Sequence, residues 1–373
     1  MIFATQTPGL VFTNLLLIFI LYSISKPAFY NKSLSNLQQN SVIFLILLFC
    51  LFSFWGKDWF GYLRYFSEIK QGYEVSTIET IYNHLGKFCP NYIIFRLIIW
   101  GSAFVLFYKT LKLLPINRNL ALFFFCTIFL IWFSYARASL AMATMFYGYT
   151  KMATTNKRLS LKWIIGILIL CVSFYLHKSA IIAMIAIMTT ELLKGANKKI
   201  VIIGSIIVFP LLVFFLKFQF GDIVEQLLVD DGSILNDYAT TGNAYLESDR
   251  LTVGPGVLIQ MILERLPYYL LAIISIKALL ASKCQIPNSI QQFMMVIIIL
   301  IFISSIFAFE LGLNTSAVYG RMMRYLQIPA CVVLSYCYAN NIYPRFTKYT
   351  YSIFFISTCY SLLYVLYNSY VAS

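Results

Sequence analysis

The chain has 373 residues, of which 60% are hydrophobic and 11% charged. Soluble domains carry about 25% charged residues, so this composition, with a mean hydropathy of +0.79, excludes a soluble enzyme, a nucleic-acid-binding module and a disordered scaffold. The net charge of +14, from 28 Lys+Arg against 14 Asp+Glu, fits basic cytoplasmic loops of a membrane protein rather than a polyanion partner.

Apolar runs predict an all-α, polytopic integral membrane protein. The candidate spans are 9–25, 41–56, 92–113, 119–135, 138–151, 163–176, 179–193, 200–216, 257–276, 290–309, 322–340 and 349–367. The first run, 10–24, lacks a basic leader and an A-x-A cleavage site, and so reads as a retained span. Crossing the ~30 Å hydrocarbon core takes ~20 helical residues; the runs starting at 138, 163 and 179 fall short. With the N-terminus outside, the alternate loops hold 16 basic residues: Lys26, Lys32, Lys109, Lys112, Arg118, Lys151, Lys157, Arg158, Lys162, Lys194, Lys198, Lys199, Lys277, Lys283, Arg345 and Lys348. Glu191 is the one carboxylate near them. Twelve spans with both termini outside satisfy the positive-inside rule. A ten-span rival that fuses 119–151 and 163–193 leaves Lys151, Lys157, Arg158 and Lys162 outside.

The chain reads as one integral membrane domain, 1–373, with two long external loops. The loop at 57–91 opens on a helix at the outer interface. Trp59, Leu63 and Phe66 form a stripe for lipid, and Asp58, Tyr62 and Tyr65 a neighbouring polar stripe that suits sugar rings or an aromatic belt. Glu79 follows in the same loop. The loop at 217–254 is acidic, with Asp222, Glu225, Asp230, Asp231, Asp237, Glu247 and Asp249; a connection this long is commonly functional or disordered.

Two interruptions carry charge at the outer turns: Arg137 before Ala138, and His177-Lys178 before Ser179. Such residues are tolerated at membrane depth where they face protein or water. They either line a cavity open to the outside, or Arg137 and Lys178 snorkel and His177 is a hydrogen-bonded structural histidine. Near the C-terminus Arg321 and Arg324 stand at i, i+3, a spacing that points two guanidinium forks to one side and suits a diphosphate. Arg250 and Arg265 flank the start of the 257–276 run. Glu264-Arg265 lies either inside that helix or, if the span begins near Leu266, at its outer end. Arg96, one turn into its span, is expected to snorkel. Of eight cysteines, Cys89 alone falls in an external loop, which argues against an external intramolecular disulfide. No metal cage, C-x-x-C, P-loop, GxSxG or HExxH occurs in the sequence, so neither metal nor cofactor is expected.

In this order the motifs resemble the EpsG-like, Wzy-type polysaccharide polymerases of bacterial inner membranes. The matching elements are Asp58…Tyr62…Tyr65, Glu79…Tyr82, Arg137 with Leu140-Ala141, Phe174…His177…Ser179-Ala180, and Arg321…Tyr325, over about residues 50 to 330. Where the family often has Gln, Pro and Tyr, this chain has Ala138, Thr80 and Trp59. The resemblance implies a many-spanning, GT-C-like glycosyltransferase that joins oligosaccharide repeat units carried on undecaprenyl diphosphate, at the periplasmic face of the inner membrane. The product would be an O-antigen, capsule or related surface polysaccharide. Its partners would be the lipid-linked donor and acceptor, membrane lipids and a chain-length regulator, with no nucleic acid. In that reading His177 is the catalytic base. Arg137, Arg321 and Arg324, with Arg250 and Arg265 behind them, hold the diphosphate. Asp58, Tyr62, Tyr65 and Glu79 contact sugar. The alternatives are a flippase for lipid-linked units, a glycan ligase, or a membrane acyltransferase using His177 from the inner side.

Overall fold

A computed structural model describes residues 8–30, 32–52, 58–73, 75, 79–130, 136–155, 157–197, 200–204, 255–281, 285–310 and 323–371. Among them the chain is helical, with no strand. The helices are α1 (Pro8–Phe29), α2 (Asn36–Phe52), α3 (Asp58–Lys70), α4 (Thr80–Phe88), α5 (Tyr92–Leu113), α6 (Arg118–Phe129), α7 (Ala136–Ala153), α8 (Leu161–Leu176), α9 (Ala180–Leu192), α10 (Pro255–Leu280), α11 (Asn288–Glu310), α12 (Gln327–Ala339) and α13 (Pro344–Val371). Beyond 200–204 the run at 200–216 lies outside the described residues, as does the acidic loop at 217–254.

Three segments are long and apolar enough to cross a membrane by length and composition: Phe12–Phe29, Tyr92–Leu113 and Asn288–Ser305. Shorter apolar helices include Asn36–Leu51, Arg118–Phe129, Leu161–Leu176, Ala180–Leu192 and Gln327–Ala339. Several starts are set by local chemistry. Ser35 and Gln38 exchange side-chain and backbone hydrogen bonds at the head of α2 (3.0 and 3.2 Å), a reciprocal cap that satisfies two exposed amides. Asn91, Asn117 and Ser160 accept from amides three residues on, opening α5, α6 and α8. Inside the helices, buried hydroxyls turn back onto the preceding turn. Ser25 donates to the Leu21 carbonyl, Thr150 to Phe146, Thr190 to Ala186 and Thr358 to Phe354 (2.6–3.0 Å). These four hydroxyls are thereby satisfied inside an apolar interior.

The helices that position the site are α7, α8 and α9. Gly148 on α7 meets Gly166 on α8: a Cβ on Gly148 would lie 2.6 Å from the Gly166 carbonyl oxygen, and one on Gly166 2.8 Å from that of Gly148. The two backbones touch, and glycine at the crossing permits it. α8 and α9 are joined by His177-Lys178-Ser179 and run back to back. Near the far end the indole of Trp163, on the first turn of α8, donates to the Glu191 carboxylate at the end of α9 (3.2 Å). Lys194 reaches the Thr155 carbonyl just past α7 (3.2 Å). One end of this unit therefore carries Arg137 and His177, and the other carries Arg158, Trp163, Glu191 and Lys194. The expected break between 163–176 and 179–193 is a true turn: His177 is extended (φ −164°, ψ 118°), and its amide closes the last bond of α8 while its carbonyl opens α9.

α7 is almost wholly enclosed, burying Ala141, Met142, Met145, Phe146, Tyr149 and Met152. By contrast α8 leaves Leu161, Ile164, Leu168, Val172 and Tyr175 exposed along one stripe. A contiguous apolar face of that kind calls for lipid or a partner rather than water.

Two expectations need correction. Arg96 does not snorkel: it is 1% exposed, donates to the Cys50 carbonyl (2.6 Å) and stacks over Trp100 (4.1 Å to the centroid). A guanidinium reaches a ring face and a helix-end carbonyl at once, and both are within reach inside the fold. On α3, where the side chains of Asp58 and Trp59 lie outside the described residues, Phe66, expected toward lipid, instead points inward with Tyr62 and Ile69 and packs on Tyr92 and Phe95, while Leu63 is exposed. The cause is a phenol that finds a buried cation, described next.

Candidate active site

Glu79 stands just before α4 with extended backbone angles (φ −63°, ψ 139°). Its side chain does not cap its own helix. The approach to it is held by Asn83, whose amide pairs with both the N–H and the C=O of Val75 (3.2 and 3.0 Å). One turn on, the buried Tyr82 hydroxyl donates to the Leu176 carbonyl (3.0 Å), which pins α4 against the last turn of α8. The carboxylate is thereby delivered to the two ends that carry Arg137 and His177.

Both oxygens of Glu79 are engaged. Oε2 accepts from Arg137 Nη1 (2.8 Å), and Oε1 meets His177 Nδ1 (2.8 Å). Arg137 Nε donates to the Tyr62 hydroxyl (2.6 Å), and its guanidinium lies 5.5 Å from the Tyr62 ring centroid. Tyr65 stands edge-on to Tyr62 at 6.1 Å. The three ionisable side chains are only 21% (Arg137), 10% (Glu79) and 19% (His177) exposed. Beside His177, the Ser179 hydroxyl hydrogen-bonds the Tyr325 hydroxyl (2.9 Å), so the segment before α12 closes on the same turn.

Burial alone would push the Glu79 carboxyl up. The hydrogen bond from His177 and the charges of Arg137 and His177 outweigh it and hold the group down at about 2. Glu79 is thus an anion at any physiological pH. Burial, aided by the neighbouring Glu79 charge, pushes the Tyr82 phenol well up, so it stays a neutral donor. The cluster joins a fixed anion, a fixed cation, an imidazole and phenol hydroxyls at low exposure, a combination able to bind an anionic group and move a proton.

Of the residues singled out in the sequence, Tyr62, Glu79, Arg137 and His177 come together here, with Tyr65 at the edge. Asp58 begins α3. Arg324 is half-buried in the turn before α12, next to the Tyr325 that reaches Ser179. Arg265 lies inside α10, which runs unbroken from Pro255 to Leu280. α10 packs on α11, α12 and α13. Arg250 and Arg321 lie outside the described residues. Sequence reasoning assigned no role to the Ser179–Tyr325 contact, although both residues flank candidates. Both Glu79 oxygens meet protein partners, Oε2 the Arg137 guanidinium and Oε1 the His177 ring.

The helical fold, its apolar exposed faces and the ionic cluster at one end of the α7–α9 unit define a helical membrane protein with a buried polar centre. A family model described as the EpsG family matches residues 40–373, and the chain belongs to that family of polysaccharide-polymerase-like membrane proteins. No curated protein and no solved structure shows a significant match.

Proposed function

We propose that the protein is a glycosyltransferase that polymerises oligosaccharide repeat units carried on undecaprenyl diphosphate, at the periplasmic face of the bacterial inner membrane. The observation that carries this reading is the Glu79-centred cluster uniting Arg137 and His177. A diphosphate leaving group calls for fixed positive charge, and an acceptor hydroxyl calls for a base that titrates near neutrality. The donor is already activated, so no nucleotide site is required.

In this proposal the chain is one membrane domain of about twelve spans with both termini outside and a GT-C-like arrangement. Sidedness is supported by the α7–α9 unit, which places Arg137 and His177 opposite Arg158 and Lys194; basic residues favour the cytoplasm. The 16 residues of α8 span only about 24 Å at 1.5 Å each, less than the ~30 Å core. The His177 turn then sits in a recess below the headgroups, reachable by a substrate whose polyprenyl tail stays in lipid. His177 takes the acceptor proton. Arg137, Arg321 and Arg324 hold the diphosphate, with Arg250 and Arg265 as further contacts, and Asp58, Tyr62 and Tyr65 line the sugar path. Because Arg137 Nε and Nη1 already serve Tyr62 and Glu79, its share is chiefly charge, and the Arg321/Arg324 pair supplies the bidentate grip.

The test is incubation of purified protein with defined lipid-linked repeat units and no added nucleotide. A ladder of products is expected. Wild-type protein that yields none, or His177→Ala and Arg324→Ala variants that both yield full-length polymer, would overturn the reading. Fusing reporters to both termini separates a polymerase from a flippase, since the flippase predicts cytoplasmic termini.

A further inference from the structure

Glu79 is an anion with no proton to give, and its Oε1 lies 2.8 Å from His177 Nδ1. Two acceptors would repel at that distance, so the ring proton resides on Nδ1. Nε2 is then the nitrogen that carries the lone pair whenever the ring is neutral. The backbone allows little freedom to reverse this. His177 is locked between α8 and α9 by its own amide and carbonyl (3.1 and 2.9 Å), and the Tyr82–Leu176 bond fixes the adjoining turn to the helix that Glu79 precedes. The same carboxylate holds Arg137 through its other oxygen, so cation and base keep a set spacing.

We propose that Glu79 is a positioning residue that fixes the tautomer and orientation of His177, with Nδ1–H toward its carboxylate and Nε2 toward the acceptor hydroxyl, rather than a sugar contact. This rests on the polymerase reading above. In the transfer step the acceptor O–H proton passes to Nε2. The acceptor oxygen forms a bond to the anomeric carbon of the donor as the bond from that carbon to the diphosphate oxygen breaks. The lipid diphosphate leaves with the electron pair, stabilised by arginine, and Glu79 faces the imidazolium that results. The imidazolium then releases its proton to solvent, restoring the base. A carboxylate that orients an imidazole contributes orders of magnitude without touching substrate.

The chain has two histidines, and the other, His84, is exposed. In a His84→Gln background, [15N]histidine labelling leaves a single imidazole whose nitrogen shifts report its tautomer directly, with no substrate present. At a pH where the nitrogen shifts show the ring to be neutral, the parent protein is expected to show Nδ1–H. Glu79→Gln, whose amide can donate instead, shifts the ring toward Nε2–H. Glu79→Asp keeps Nδ1–H and provides a second, charge-conserving variant. In polymerisation assays Glu79→Gln is expected to lower kcat ~10²–10⁴-fold with KM changed only a few-fold, while Glu79→Asp recovers at least part of the loss. An Nε2–H tautomer in the parent protein, or an unchanged kcat in Glu79→Gln beside an inactive His177→Ala, overturns the positioning role and leaves the polymerase reading standing. Absence of any polymer from the parent protein overturns that reading instead, and the tautomer measurement still decides the role of Glu79.

Discussion

The two ends of the α7–α9 unit hold similar parts used differently. At one end Glu79 accepts from Arg137 and faces the His177 ring. At the other, Glu191 accepts from Lys194 (3.3 Å) and from the Trp163 indole, while Arg158 donates to the backbone carbonyl of Glu191 (2.6 Å). Each is a buried carboxylate between a cation and a ring nitrogen, and Glu191 is the more enclosed of the two, at 3%. The difference lies in the ring. An indole N–H only donates and never titrates, and Arg158 meets carbonyls at a helix end, where a cation is favourable in any case. An imidazole keeps a second nitrogen for chemistry. The Glu191 end is a clasp joining three helix ends, and the Glu79 end is a clasp whose ring can also act. A buried carboxylate with a cation does not mark a site by itself; the chemistry of the third partner does.

The largest expected effects break that comparison at the ring. His177→Ala is expected to lower the polymerisation rate ~10²–10⁴-fold, the range for a lost general base, with only a modest drop in thermal midpoint. Trp163→Ala should do the opposite, losing stability and leaving the rate per folded molecule within a few-fold. Comparable rate losses from both would mean that the two ends are equivalent. Arg137→Ala ranks next. Removing a preorganised charge beside a developing anion costs about 10²–10³-fold in kcat, read on the same product ladders, and Arg137→Lys should recover only part because it loses the fork shared between Tyr62 and Glu79.

The carboxylate at the Glu79 end also gives a pH signature. Glu79 falls from an ordinary 4.5 to about 2 in the fold. A depressed carboxyl contributes stability that is fully present above the unfolded value and lost as pH falls through the folded one. The window is therefore about pH 4.5 down to about 2, with up to about 3 kcal/mol at stake at 1.36 kcal/mol per unit. Melting curves of detergent-solubilised wild type and Glu79→Gln should differ at pH 6 and converge as pH drops through that window. A constant difference across it would assign the depression elsewhere.

Much of the fold was readable from apolar runs. The run at 92–113 is Tyr92–Leu113, and the break at His177-Lys178 is a true helix boundary, because a polar side chain inside an apolar segment needs a local reason; the stretch 131–135 before Arg137 lies outside the described residues. What periodicity could not supply was which partner each face meets. The α3 pattern separates two stripes but not their destinations: Tyr62 turns inward because its hydroxyl reaches Arg137, 75 residues away in sequence. Arg96 likewise reads as an interfacial snorkel until Cys50 and Trp100 are seen beside it. Glu79 was visible as a loop acid and, through the family resemblance, as a motif residue, but its partners were not, since neither Arg137 nor His177 stands at any helical spacing from it.

The smaller predictions probe how rigidly the two ends are joined. Gly148→Ala sets a Cβ 2.6 Å from a backbone oxygen of the neighbouring helix, which no rotamer change can relieve. Overpacking of this kind costs typically ~1–3 kcal/mol. The helices must part at their crossing, which lies one turn from Trp163 and about three turns from His177 along α8, so a lower melting midpoint and a smaller loss of rate are expected. A lower midpoint with an unchanged rate would show that the Glu79 end keeps its geometry independently of the crossing.

Trp163→Phe is the mildest change. It keeps the aromatic packing and removes one indole N–H, leaving Glu191 with Lys194 as its remaining side-chain donor among the bonds described. Losing one hydrogen bond to a buried charged group costs about 1.5–3 kcal/mol where nothing replaces it. The neighbouring Lys194 can shift toward the carboxylate, so a loss of about 1 kcal/mol is the expected outcome, seen as a modest drop in midpoint with normal polymer length. The corresponding deletion at the other end, His177→Phe, also preserves a ring and removes its hydrogen bond to a carboxylate, yet should abolish polymerisation. Two ring-conserving substitutions with matched losses of stability and opposite effects on rate would separate the clasp from the catalytic centre on chemistry alone.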